Sequence, residues 1–128
     1  MIQKALRFRN KVLLTKIFFT ELFFGAYIFL FGFKKFTELL ISTISKESKY
    51  KENEILRCEK IASRFNRIKK CLVRNGTIYY YFKKYDIACN LIVGVSNHNE
   101  FASHCWVESK NNVIDFDEEK KFTEIYRI

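Results

Sequence analysis

The longest apolar run in the chain lies near its start. Val12 to Phe33 is strongly apolar, and Leu22 to Phe33 contains no charge at all. Arg9, Lys16, Thr20, Tyr27 and Lys34 recur at spacings of seven, four, seven and seven. On a helix these form one narrow polar stripe and leave a very wide apolar face, which predicts an amphipathic helix buried on that face. Gly25 and Gly32 share a face one heptad apart, with room for a close neighbouring helix. Phe36, Leu39, Leu40 and Ile44 continue the period, in the same helix or after a break near Gly32. A membrane span needs about 20 apolar residues. The only window that long includes Lys16 and Glu21, and charge at such depth is costly. Lys34-Lys35 stand where a signal peptide would need small residues for cleavage. The pattern therefore favours a helix of a water-soluble domain over membrane association.

Ser45 to Asn53 is a polar, charged connection and the best boundary in the chain. It separates an N-terminal helical extension, residues 1–53, from residues 54–128, within a single domain overall. Beyond it, Ile55, Cys58, Ile61 with Ala62, Phe65 and Ile68 repeat every three to four residues. Arg57, Lys60, Arg64 and Arg67 take the opposite side, giving a helix that is basic outside and apolar inside. Lys70 to Lys84 is ambiguous. Leu72, Ile78, Tyr79 and Phe82 can line one helical face, but Asn75-Gly76 signals a turn and Tyr79 to Phe82 has strand propensity. Ile87 to Val95 reads as a strand in which Gly94 marks a bulge. Phe101 to Ser109 is a second strand and Val113 to Phe116 a third, joined by a turn at Asn111-Asn112. Phe122 to Ile128 is a short final strand or tail.

Composition narrows the class. Nearly half of the 128 residues are apolar, with 14 Phe and 7 Tyr, while proline is absent and glycine occurs four times. Such a chain can bury a real core, and it is neither disordered nor a turn-rich sandwich. The net charge of +9 is spread along the sequence. It carries no paired CxxC and no RNP-type aromatic strand, so nucleic acid is not an expected partner. The cysteines at 58, 71, 89 and 105 follow neither a metal-site nor a disulfide spacing. They suit a reducing, cytoplasmic compartment, and no metal or cofactor is expected.

Three residues stand in an order that carries chemistry: Cys71, His104 and Asp115. A thiol, an imidazole and a carboxylate are the parts of a cysteine hydrolase or acyl transferase. The imidazole draws the thiol proton, and the carboxylate fixes the imidazole tautomer. If Lys70 to Lys84 is a helix, Cys71 opens it. Unpaired amides there, with Lys69 and Lys70, favour thiolate and offer an oxyanion donor. His104 shares one strand face with Trp106 and Glu108, whereas Cys105 and Val107 take the other. Asp115 lies across a short hairpin from His104, and Asp117, on the same face, is the reserve. His98 is the rival base but sits in a polar loop. Cys58, Cys89 and Cys105 read as small buried apolar residues.

Cys71-Leu72-Val73-Arg74, Ile87 to Val95, and His104-Cys105-Trp106-Val107-Glu108 together resemble the transglutaminase-like leader peptidases of lasso-peptide biosynthesis, in their stand-alone form. The resemblance runs from Ile55 to Phe116. It implies that Cys71 opens a core helix and that the fold is α+β. N-terminal helices would pack on a small antiparallel sheet, around a transglutaminase-like or papain-like cysteine hydrolase core. It implies a cysteine peptidase that cleaves the leader from a ribosomally made precursor peptide, with Cys71, His104 and Asp115 as triad. A separate small leader-binding protein and a lasso cyclase would be partners. Arg74 is a motif position without an assigned role. Relatives usually carry alanine where Cys105 stands and glycine where Asn112 stands. Another transglutaminase-like acyl transfer or amidase activity, or a non-catalytic, membrane-associated helical partner, are the alternatives.

Overall fold

The structure is a computed structural model that describes residues 8–46, 49–67, 71–96, 102–110, 113–114 and 123–128. Helix α1 spans Phe8–Ile41, α2 Glu52–Asn66 and α3 Cys71–Lys84. Strands β1 (Cys89–Ser96), β2 (Ala102–Ser109), β3 (Val113–Ile114) and β4 (Thr123–Arg127) follow. The ambiguous segment after residue 70 is thus helical.

Gly32 folds α1 back on itself. Its backbone is non-helical, with φ 84° and ψ 179°, a region that side-chain-bearing residues rarely enter. Phe24 and Phe36 would stand about 18 Å apart on a straight helix. Their ring centroids are 5.0 Å apart, and those of Tyr27 and Phe36 are 6.5 Å apart. Phe19, Phe23 and Phe24 likewise share a groove with Leu39, Thr43 and Ile44. The apolar block is therefore a helical hairpin with its tip at Phe31-Gly32-Phe33.

The face that α1 buries differs from the broad one expected. Leu13, Ile17, Glu21 and Phe24 point inward on the first arm, and Phe36 and Leu40 on the second. Phe19, Leu22, Phe23, Phe29 and Leu30 are exposed instead. Thr20, from the polar stripe, meets the Tyr81 hydroxyl at 2.6 Å on α3. This contact with a distant helix is one that periodicity cannot see. A Cβ on Gly25 would touch nothing within 4 Å, so no helix packs closely there. The close approach is at Gly76 on α3, where a Cβ would come 2.5 Å from Phe36 Cζ. The Asn-Gly pair that suggested a turn thus has a packing role within a helix.

Helix α2 begins with Glu54 Oε1 accepting from the Lys51 amide at 3.1 Å, and ends on Arg67 in the left-handed region. Ile55, Cys58 and Ala62 are buried as expected, but Phe65 is 74% exposed and Glu59 is buried instead. Ile68 lies outside the described residues. Arg74 on α3 explains the exchange: its Nε and Nη2 donate to Glu59 Oε2 and Oε1 at 2.9 and 3.0 Å. Glu21 is buried beside this pair. Burial first, then the neighbouring Glu59 carboxyl, push its carboxyl up to about 9. Asn66 Nδ2 donates to the Phe18 carbonyl at 3.1 Å. One polar cluster thereby joins α1, α2 and α3.

The sheet is antiparallel throughout, in the order β3-β2-β1-β4. Pairs such as Leu91↔Val107, Val93↔Cys105 and Gly94↔His104 set the β1–β2 register. The β1–β4 register slips between Val93 and Gly94, as Gly94 led one to expect. The final segment is a true strand on the outer side of β1, closed by reciprocal Leu91–Ile128 backbone bonds of 3.1 and 3.0 Å. Leu91, Val93, Cys105 and Val107 face the helical core. Ile92 and Trp106 lie on the other face and are also buried. Helix α3 is the middle layer: α1 and α2 pack on one side of it, and β1 and β2 on the other. The fold is mixed α and β with a small antiparallel sheet; the N-terminal helices pack on that sheet mainly through α3, with a direct bond from Ser109 Oγ on β2 to Glu52 Oε2 on α2 at 3.0 Å. The contact of Phe33 with Tyr126 on β4, at 5.5 Å, is made at the hairpin tip.

Candidate active site

The first turn of α3 docks on the edge of β2. The described part of β3 pairs only with Val107 and Glu108, which leaves the stretch around Cys105 for other partners. Asn75 Nδ2 donates to the Cys105 carbonyl at 3.3 Å and to the Cys71 carbonyl at 2.9 Å. The amide and carbonyl of one strand residue point to the same edge. The Cys105 amide accordingly meets the Cys71 sulfur. From this edge Cys71 also touches the Cys105 thiol on one face and the His104 imidazole on the other. Strand alternation does separate residues 104 and 105, but a group at the edge reaches both faces. Cys105 is buried in the core, as expected, and it is also a neighbour of the candidate nucleophile.

The electrostatics single out one thiol. Hydrogen bonding from Cys105 is the largest influence on Cys71, followed by burial acting against it, then the Cys105 amide and His104. Together they lower the Cys71 thiol to about 6. Burial pushes Cys58 up to about 11 and Cys89 up to about 12. All four cysteines are free thiols. Iodoacetamide at pH 7 should therefore label Cys71 first, with a rate that rises through a midpoint near pH 6. Cys58, which is buried, should react only after unfolding, and the partly buried Cys89 far more slowly than Cys71. Peptide mapping by mass spectrometry reads both, and equal labelling of the three in folded protein would refute the assignment.

His104 is held by its neighbours. Its ring stacks on Trp106, with centroids 6.2 Å apart and planes at 26°. Trp106 Nε1 donates to Glu108 Oε2 at 3.1 Å, and Glu108 lies 3.6 Å from Arg127 on β4. The three residues expected to share a face therefore form a connected row. A thiol with a lowered pKa, an adjoining imidazole and the amides at a helix start can attack a carbonyl and hold the resulting oxyanion. Asp115, Asp117 and His98 lie outside the described residues, as do Lys69 and Lys70. Among the described residues, no group of three or more His, Cys, Asp or Glu could hold a metal ion.

Two residues gained meaning only in three dimensions. Asn75 ties the turn of Cys71 to the strand of His104, and an asparagine four residues after a helix-start cysteine was its one sequence signal. Arg74 secures α3 to α2 through Glu59.

Comparison with curated proteins and with solved structures gave no match. A family model, that of the transglutaminase-like superfamily, matches residues 36–127. The match begins in the second arm of α1, ends in β4 and contains both Cys71 and His104. The chain therefore belongs to the transglutaminase-like superfamily, which covers cysteine peptidases and acyltransferases.

Proposed function

We propose that the protein is a cytoplasmic cysteine peptidase that removes the leader from a ribosomally made precursor during lasso-peptide maturation. The observation that carries this reading is the contact between Cys71, its thiol lowered to about 6, and His104. Resemblance at residues 71–74, 87–95 and 104–108 supplies the substrate class. In the proposed reaction His104 takes the Cys71 proton, and the sulfur attacks the carbonyl carbon of the leader–core amide. The oxyanion is held by amides at the start of α3. The tetrahedral adduct collapses as the C–N bond breaks, and His104 gives its proton to the leaving amine. Water then adds to the thioester, losing a proton to His104, and the leader leaves as a carboxylate while the thiol is restored. Asp115 orients His104 throughout.

The test is cleavage of a precursor peptide by the full chain, with its leader-binding partner, followed by mass spectrometry. Leader and core separated at one bond support the reading. Transfer of the acyl group to an added amine, without net hydrolysis, would assign an acyltransferase instead.

Recognition should depend on the partner. Capture of an extended leader commonly adds a strand to an exposed sheet edge. The described part of residues 1–53 is helix and connecting segment, without a strand. Fluorescence anisotropy with labelled leader should show weak binding to this chain alone and efficient cleavage only when the partner is added. Tight binding of the isolated chain would contradict this.

A further inference from the structure

The helical hairpin carries a feature that peptide cleavage does not use. Between its arms runs an apolar groove of about 520 Å³, lined by Phe19, Phe23, Phe24, Leu39, Ile44 and Tyr80 among others. At its base Lys46 and Lys84 also line a second cavity of about 460 Å³, with Lys16, Lys49 and Tyr85. Four lysines thus converge where the apolar groove ends, and no carboxylate among the described residues lines either cavity. Lys84 is held over Tyr80, Tyr81 and Tyr85, with Nζ 5.7–5.8 Å from each ring centroid. Burial, then the charges of Lys16 and Lys46, lower its pKa, as expected where cations crowd one another.

The outer face of α1 continues the apolar surface. Phe19, Leu22 and Phe23 are 45–62% exposed, and Phe29, Leu30 and Phe31 are 58–83% exposed at the tip. Lys34 and Lys35 follow directly and are exposed. By length and composition, Asn10–Ile41 is apolar enough to cross a membrane. The fold gives a different geometry. Gly32 reverses the chain, and both arms are fastened into the core by Leu13, Ile17, Phe24, Phe36 and Leu40. A surface of this kind lies on a bilayer, with aromatic side chains at the acyl boundary and lysines at the headgroups.

We propose that the α1 hairpin is a docking site for an anionic phospholipid surface. Lys16, Lys46, Lys49 and Lys84 would receive a phosphate headgroup, and the groove between the arms would receive the attached acyl chain. Charge complementarity favours this occupant: a cationic cup opening into an apolar groove matches a molecule with a phosphate at one end and a hydrocarbon at the other. The proposal stands apart from the peptidase reading, because the cup belongs to α1, the connection after it and the C-terminal end of α3.

Flotation of the full chain with vesicles tests it. Binding is expected to vesicles containing phosphatidylglycerol and not to pure phosphatidylcholine, and it should weaken with added salt. Lys16→Glu with Lys46→Glu should lower binding about tenfold or more. Phe19→Ser with Phe23→Ser should lower it independently, with circular dichroism confirming the fold of each. Precursor cleavage should be unchanged in both variants when assayed without vesicles. Soluble glycerophosphoglycerol or inorganic phosphate binding as tightly as vesicles would overturn the proposal, since the groove would then contribute nothing. Equal binding to neutral vesicles, or none to either, would also overturn it. So would capture of an acidic, apolar peptide on the same lysines without any affinity for vesicles.

Discussion

Replacing Cys71 with alanine is expected to abolish precursor cleavage while leaving the protein folded. Loss of the nucleophile in a triad removes the covalent route altogether, and residual rates fall by about 10⁶ in well-studied cases. Cys71 is only partly buried at the start of α3, so the smaller side chain costs little packing. The other thiols separate chemistry from structure. Cys105→Ala keeps the backbone amide that meets the Cys71 sulfur but removes the thiol contact, the largest influence lowering Cys71. That variant should cleave, with the acid limb of its pH–rate profile moved to higher pH. Cys58→Ala and Cys89→Ala should cost mainly stability, on the order of 1 kcal/mol. Asp115→Asn should slow cleavage by roughly 10⁴, the scale expected when the histidine tautomer is wrong, while Asp117→Asn should matter little. Mass spectrometry of the products and circular dichroism of each variant decide these points. Full activity in a folded Cys71→Ala protein would end the cysteine-peptidase reading.

Arg74→Ala should be among the most destabilising substitutions in the helical layer, by about 3 kcal/mol. Removing the guanidinium strands the Glu59 carboxylate, whose side chain is 2% exposed, beside a second buried carboxyl at Glu21. The loss lies at the low end for a broken buried pair because Arg74 itself is 29% exposed and partly screened. Glu21→Gln should have the opposite sign. Its carboxyl titrates near 9 in the fold, against an ordinary value of 4.5. Between those values the folded chain holds a proton that the unfolded chain has released, so this group's contribution to stability falls as pH rises. It is complete below about 4.5 and is lost as pH passes through about 9. Glutamine does not titrate, so the stability of the variant relative to the parent should grow from pH 5 to pH 9. Urea denaturation at pH 5, 7 and 9 measures both effects. A Glu21→Gln protein whose difference from the parent did not change with pH would show that Glu21 is ionised in the fold.

Sequence alone determined the elements whose signals are local. The period from Ile55 to Ala62 marks α2, the alternation from Ile87 to Val95 and from His104 to Glu108 marks β1 and β2, and Gly94 marks the irregular pairing. These follow from which side chains can share a helical or pleated face. Cys71 and His104 were picked out as candidates by their residue types and the motifs around them. On local rules, however, the segment after Cys71 was evenly balanced between helix and hairpin. Only tertiary structure decided the rest. The inward face of α1 is the one whose Leu13, Ile17, Phe24, Phe36 and Leu40 join the common core, with Thr20 reaching Tyr81 on α3, contacts between residues far apart in sequence. Gly76 proved to be a point of helix contact because Phe36 arrives there from a chain that has doubled back at Gly32. Cys105 became a neighbour of Cys71 because a helix end packed against a strand edge lies outside the two-face logic of alternation. Periodicity reports whether a side chain is near water or not; the identity of its partner depends on where distant segments meet.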